Sequence, residues 1–120
     1  MAARILVVED STLVTDAFAI LFRQAGYEVE IAESVAEGIE RGSAGTVDIM
    51  LLDLSLPDGD GLEVLETLRA RGRAPRATLA MTGYDDSKTR RACLDAGCAD
   101  VLVKPLPIGE LLRQIERRLA

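Results

Sequence analysis

The sequence contains no histidine and no tryptophan, and its aromatic residues are two tyrosines and two phenylalanines. Without histidine there is no Ser-His-Asp triad, no Cys-His pair and no His-ligated metal. Nor can the chain itself carry a phosphohistidine. So few rings leave little to stack a flavin. The two cysteines, Cys93 and Cys98, lack the C-x-x-C spacing of a zinc or redox site. They read as packed free thiols in a reducing compartment, the cytoplasm. Long apolar runs are missing too. Ile5–Val8 is far too short for a secretory core, Glu9 and Asp10 end it, and no stretch approaches a membrane span.

What is present is enough for one domain over 1–120, with 48% of residues apolar. Lys and Arg total 14 against 20 Asp and Glu, a net charge of −6. That balance argues against direct nucleic-acid binding and against an anionic membrane surface. It suits a site that holds a cation.

Five short apolar runs alternate with five helical patterns. The strands are expected at Arg4–Val8, Glu28–Ile31, Asp48–Leu52, Thr78–Met81 and Asp100–Val103. The first, third and fifth are nearly continuous in Val, Ile and Leu, as strands buried on both faces of a parallel sheet should be. Ser11 or Thr12 is placed to cap the first helix and Gly26 to stop it. Ser34 begins the second helix, Asp58–Gly61 precede the third, and Asp85–Ser87 precede the fourth. Gly97 closes the fourth, and Pro107 stands at the first turn of the fifth. Arg69, Arg71, Arg73 and Arg76 read as a solvated helix end and loop, where positive charge is favourable. The alternation predicts an α/β fold: a flavodoxin-like doubly wound five-stranded parallel sheet, order 2-1-3-4-5, with five helices.

That order brings polar residues together. Glu9 and Asp10 follow the first strand, Asp53 the third, Thr82 the fourth and Lys104 the fifth. In open α/β sheets, ligand sites lie at the carboxyl ends of the strands. Any one of these acids alone also reads as a turn former or helix cap. Together they repel one another and require neutralisation. Lys104 supplies one positive charge, and clustered hard oxygens suit Mg²⁺ for the rest. A carboxylate so placed can attack phosphorus to form an acyl phosphate, with the ammonium and metal offsetting phosphoryl charge.

The runs ILVVED at 5–10, MLLDLSLPDGDG at 50–61, MTGY at 81–84 and VLVKPL at 101–106 resemble the motifs of response-regulator receiver domains. The four occur in order and the resemblance spans the chain. It implies that Asp53 is the phosphoacceptor of a two-component phosphorelay and that Asp10 ligates Mg²⁺ directly. Glu9 ligates it directly or through water, and the Ser55 main-chain carbonyl completes the protein ligands. Thr82 is the switch hydroxyl, Lys104 pairs with the phosphoryl group, and the Lys104–Pro105 bond is cis. The chain then catalyses only its own aspartyl phosphorylation and dephosphorylation, not the turnover of an outside substrate. Its partners are a histidine kinase or phosphotransfer protein, docked through helix 1 and the loops around Asp53, and an output partner or domain. Ser55 and Tyr84 border the path of the hydrolytic water.

One position departs from the family. Val101 stands where a Tyr or Phe usually lies three residues before the lysine, which leaves the usual readout without its moving ring. This opens an alternative, a phosphorylation-independent pseudo-receiver acting as a protein-binding module. An aspartyl phosphatase of the haloacid dehalogenase type would need a second Asp where Ser55 stands. A flavodoxin would need a phosphate-cradling run after the first strand. The start MAARILVVED reads as a natural N-terminus. A freestanding regulator and a receiver followed by an output domain after Ala120 both remain open.

Helix 1 contains the unbroken apolar run Ala17–Phe22. Successive helical residues turn by about 100°, so the run cannot all face the sheet. Ala17 and Leu21 are expected in the core-facing stripe. At least Val14, Phe18 or Ile20 should be partly exposed or covered by Leu112, Ile115 and Leu119 of helix 5.

Overall fold

The computed structural model describes residues 2–120. The chain runs β1 (Arg4–Val8), α1 (Thr12–Gln24), β2 (Glu28–Ala32), α2 (Val35–Ser43) and β3 (Ile49–Asp53). Two short strands follow, β4 (Ser55–Leu56) and β5 (Gly59–Asp60), then α3 (Leu62–Ala70) and β6 (Ala77–Thr82). The remainder is α4 (Ser87–Ala96), β7 (Asp100–Val103) and α5 (Ile108–Leu119). The main sheet has the order β2-β1-β3-β6-β7, every neighbouring pair parallel. This is the expected five-stranded topology. The difference is the antiparallel β4–β5 hairpin before α3, where no strand was expected. It is too short for a periodicity to show.

Alternation along the strands builds two cores. Leu6, Val8, Met50, Leu52, Ala80 and Val101 face α2, α3 and α4, meeting Val35, Val64, Leu65, Leu68 and Cys93. Ile5, Val7, Ile49, Leu51, Leu79 and Met81 face α1 and α5, meeting Phe18, Phe22, Leu111 and Ile115. Both faces of the central strands are therefore dry, which is why their sequences show no polar alternation. Each large side chain so buried contributes about 1.5–3 kcal/mol. The helices on the first face sit close. A Cβ at Gly42 of α2 would lie 2.6 Å from Leu68 Cδ1 of α3.

The helix ends mostly follow local chemistry. The Ser34 hydroxyl accepts from Glu37 N at 3.1 Å, and the Asp86 carboxylate accepts from Thr89 N at 2.7 Å. Gly97 ends α4 at φ +107°, a left-handed conformation that glycine adopts freely. Ser11 holds the N-cap position of α1, yet its side chain makes no cap hydrogen bond. Pro107 is the N-cap of α5, one residue earlier than expected. Arg69 donates to the Ala96 carbonyl at 2.6 Å and Arg71 to the Ser43 hydroxyl at 3.2 Å, so two of the exposed arginines close helix ends.

The α1 expectation needs correction. Thr15, Phe18, Ala19 and Phe22 are buried, whereas Ala17 is exposed and Leu21 only half-buried. The two rings settle the rotation of the helix: Phe18 and Phe22 pack 5.4 Å apart and carry more apolar area than any other residue pair on it. Ile20 consequently faces outward, 60% exposed. No described helix is long and apolar enough to cross a membrane.

Candidate active site

β1, β3, β6 and β7 are adjacent and parallel, so their carboxyl ends open on one edge. Asp53 and Thr82 prove to be the last residues of β3 and β6 rather than the first of the following loops. Each strand keeps its ladder one residue further than its apolar run. The geometry brings one carboxylate oxygen from each of Glu9, Asp10 and Asp53 within 4.8 Å of the other two. Glu9 and Asp53 are buried and Asp10 stands exposed at the mouth.

Lys104 crosses from the end of β7 to join them. Its Nζ lies 2.9 Å from Glu9 Oε1 and 3.2 Å from Asp53 Oδ2. The other Glu9 oxygen accepts from Asp10 N at 3.0 Å, and the other Asp53 oxygen accepts from Ser55 N at 3.1 Å. The Lys104 backbone is held by a hydrogen bond from its N–H to the Thr82 carbonyl at 2.7 Å, ahead of the cis Lys104–Pro105 bond. Glycine is needed beside Asp53: a Cβ at Gly61 would stand 2.0 Å from the Asp53 carbonyl oxygen.

The electrostatics are unbalanced. Burial, reinforced by the neighbouring Asp53 carboxylate, pushes Glu9 up to about 7 despite Lys104. Burial works against the Lys104 ammonium, but its hydrogen bond to Glu9 and the charge of Asp53 outweigh it and hold the group above its ordinary value. Three carboxylates against one ammonium leave a formal excess of two negative charges. The oxygens are hard and close enough to converge on one ion, the donor set that suits Mg²⁺.

The remaining expected residues sit at the rim. Thr82 is buried and its Oγ1 accepts from Tyr84 N at 3.1 Å, while the Tyr84 ring is 70% exposed. Ser55 touches the site through its N–H to Asp53. Val101 is buried on the opposite side of β7, against α4. Cys93 and Cys98 are free and buried in the same core, and burial pushes Cys98 up to about 12. Sequence reasoning missed Asp58. Its carboxylate accepts from Val35 N and Ala36 N across a tertiary gap that no local pattern reveals.

The profile of the response regulator receiver domain matches residues 5–116. The chain belongs to that family. Acid tolerance regulatory protein ActR of Rhizobium meliloti (strain 1021) is 35% identical to this receiver domain over 114 residues, 95% of the chain and 58% of ActR. Response regulator MprA of Mycobacterium ulcerans (strain Agy99) is 37% identical over 119 residues, 99% of the chain and 51% of MprA. The chain thus spans about half the length of the curated relatives it matches. Among solved structures, the CheY-like receiver domain protein of Methanospirillum hungatei JF-1 superposes with TM-score 0.90 at 32% identity, covering 99% of this chain and 94% of that one. The receiver domain of sensor histidine kinase PA1611 from Pseudomonas aeruginosa PAO1, solved with magnesium in its active-site cleft, gives TM-score 0.86 at 29% identity, covering 98% and 97%.

Proposed function

We propose that this receiver domain, one unit over 1–120, accepts a phosphoryl group on Asp53 in a two-component phosphorelay and thereby switches a downstream output in the cytoplasm. The observation that carries the reading is Lys104 bridging Glu9 and Asp53 beside a third carboxylate, Asp10, a cluster in which acids outnumber the one ammonium. Glu9, Asp10, Asp53 and the Ser55 carbonyl would hold Mg²⁺, which supplies positive charge to the phosphoryl oxygens when bound.

An Asp53 carboxylate oxygen attacks the phosphorus of the donor. The P–O bond to Asp53 forms as the donor's own bond to phosphorus breaks and its electron pair leaves with the donor. Ser55 N–H orients the attacking carboxylate from one side. Lys104, already 3.2 Å from Asp53 Oδ2, is placed to follow the charge onto the transferred oxygens. The Thr82 hydroxyl would bind one of those oxygens after leaving Tyr84 N. The phosphodonor is a histidine kinase or histidine phosphotransfer protein, docked on α1 and the loops around Asp53. Leu13, Ala17 and Ile20 form an exposed apolar stripe there, at helical spacing. The acidic pocket's completeness favours this reading over a phosphorylation-independent pseudo-receiver.

Acetyl phosphate with Mg²⁺ should add one phosphoryl mass, and Asp53→Asn should abolish the addition while keeping the fold. Undiminished labelling of Asp53→Asn would reject Asp53 as acceptor. A wild-type protein that takes no label would favour the pseudo-receiver.

A further inference from the structure

The β4–β5 hairpin turns at Pro57 and Asp58, five residues beyond Asp53. The Asp58 carboxylate reaches out of the hairpin to α2. Oδ1 accepts from Val35 N at 2.7 Å and Oδ2 from Ala36 N at 3.1 Å. These donors open the first turn of α2, and Ser34 Oγ takes the next one, Glu37 N. The exposed N–H groups of that turn are therefore shared between the helix's own cap and a loop that belongs to the strand of Asp53. The two N–H groups hold the Asp58 carboxyl below the usual carboxylate range.

The base of the hairpin is anchored as firmly as its tip. Ser55 N donates to Asp53 Oδ1 at 3.1 Å and Gly61 N to the Leu54 carbonyl at 3.0 Å. The backbone at Gly61 presses so close on the Asp53 carbonyl that no Cβ fits. On the far side, the chain entering α2 is tied to the other buried acid, since Glu9 N donates to the Ala32 carbonyl at 2.9 Å. The circuit is closed: Asp53, the hairpin, Asp58, the start of α2, the end of β2 and Glu9.

We propose that Asp58 is a positioning residue for the site, pinning the hairpin tip to α2 so that Ser55 holds the Asp53 carboxylate in its receiving orientation. The proposal rests on the reading of Asp53 as phosphoacceptor. A hairpin of two rungs does not hold its shape alone in water. Its fixed geometry here comes from its two anchors, and Asp58 is the one remote from the chemistry. A carboxylate suits the task because it offers one oxygen to each of two adjacent N–H groups. An amide offers only one acceptor.

The test compares wild type with Asp58→Ala, Asp58→Asn and Ser34→Ala. The last removes the helix's own cap and leaves the tether. In the metal-free protein, hydrogen exchange at the Ser55 amide should accelerate about ten-fold in Asp58→Ala and less in Asp58→Asn, and stay unchanged in Ser34→Ala. The Mg²⁺ concentration for half-maximal acetyl phosphate labelling should rise in the same order. The rise should be at least about three-fold for Asp58→Ala, short of the roughly 10–100-fold typical of a direct partner of a metal ligand. Melting temperatures of Asp58→Ala and Ser34→Ala should fall by similar amounts. An unchanged Ser55 exchange rate in Asp58→Ala, or the same change in Ser34→Ala, overturns the proposal and leaves Asp58 a plain helix cap. If Asp58→Ala does not fold, Asp58→Asn carries the comparison, one acceptor short. A wild type that takes no label sinks the phosphoacceptor reading, and Ser55 exchange still decides the tether.

Discussion

At the residue scale, burial sets Glu9 against its own charge. A carboxylate pushed from 4.5 to about 7 binds its proton more tightly in the native state than in the unfolded chain. Its favourable contribution is therefore complete below about pH 4.5 and lost as pH rises through 7. Asp58, Asp86 and Glu30 are shifted the other way, by backbone N–H groups and, for Glu30, by Arg4 and Arg41. Their contributions are already complete above the ordinary carboxylate range and fade only as pH falls below it. Between pH 5 and 7 Glu9 should thus give a slope that those three carboxylates do not oppose. In metal-free protein the melting temperature should decline across that window. At about 1.4 kcal/mol per pKa unit, the upper bound is on the order of 3 kcal/mol. Glu9→Gln should flatten the decline, and so should saturating Mg²⁺. A melting temperature that rises from pH 5 to 7 in the wild type would contradict the assignment.

At the scale of the element, α1 separates packing from recognition. Its run Ala17–Phe22 is apolar throughout, yet only one side can face the sheet. Phe18 and Phe22 occupy it, and Leu13, Ala17 and Ile20 are left outside. Replacing the buried Phe22 by Ala would cost about 3–5 kcal/mol. A charge at Ile20, which is 60% exposed, should stay within about 0.5 kcal/mol. Ile20→Glu is therefore expected to leave the melting temperature and acetyl phosphate labelling nearly unchanged while slowing transfer from a cognate phosphodonor protein. Equal transfer rates for the two proteins would move the docking surface away from this stripe. A large drop in melting temperature would place Ile20 in the core.

At the scale of the whole molecule, the site is a property of the assembled sheet. Glu9 and Asp10 come from the end of β1, Asp53 from β3 and Lys104 from beyond β7, and no short segment contains them. The unfolded chain cannot gather these ligands, so Mg²⁺ binding should stabilise the native state as a unit. The gain follows RT ln(1 + [L]/Kd), about 2.7 kcal/mol at a hundred times Kd. For a domain of 120 residues that corresponds to a rise in melting temperature of roughly 5–20 °C. The rise should grow with Mg²⁺ concentration and be largely lost in Asp10→Ala. Glu9→Ala should lose less, because both Glu9 oxygens are already held by protein donors, Lys104 Nζ and Asp10 N. Calcium- and magnesium-insensitive melting of the wild type would argue against a cation at this site.

Strand order, the two-sided burial of the central strands and the convergence of Glu9, Asp10, Asp53, Thr82 and Lys104 on one sheet edge were all legible in the sequence. Each follows from local signals: continuous apolar runs, alternation with helices, and polar residues at strand ends, which topology then aligns. Four features were decided by tertiary structure alone. Which side of α1 is buried depends on where two phenylalanine rings fit against β1, β3 and α5, and composition cannot rank that against Ala17 and Leu21. The β4–β5 hairpin is shorter than any periodicity. The raised protonation range of Glu9 arises from desolvation and from Asp53, more than forty positions away in the chain. The Asp58 fork joins a loop to a helix by a pair of hydrogen bonds spanning 22 and 23 positions. Local sequence encodes what a segment does by itself, but burial, charge coupling and long-range capping exist only once distant segments share a boundary from which water is excluded.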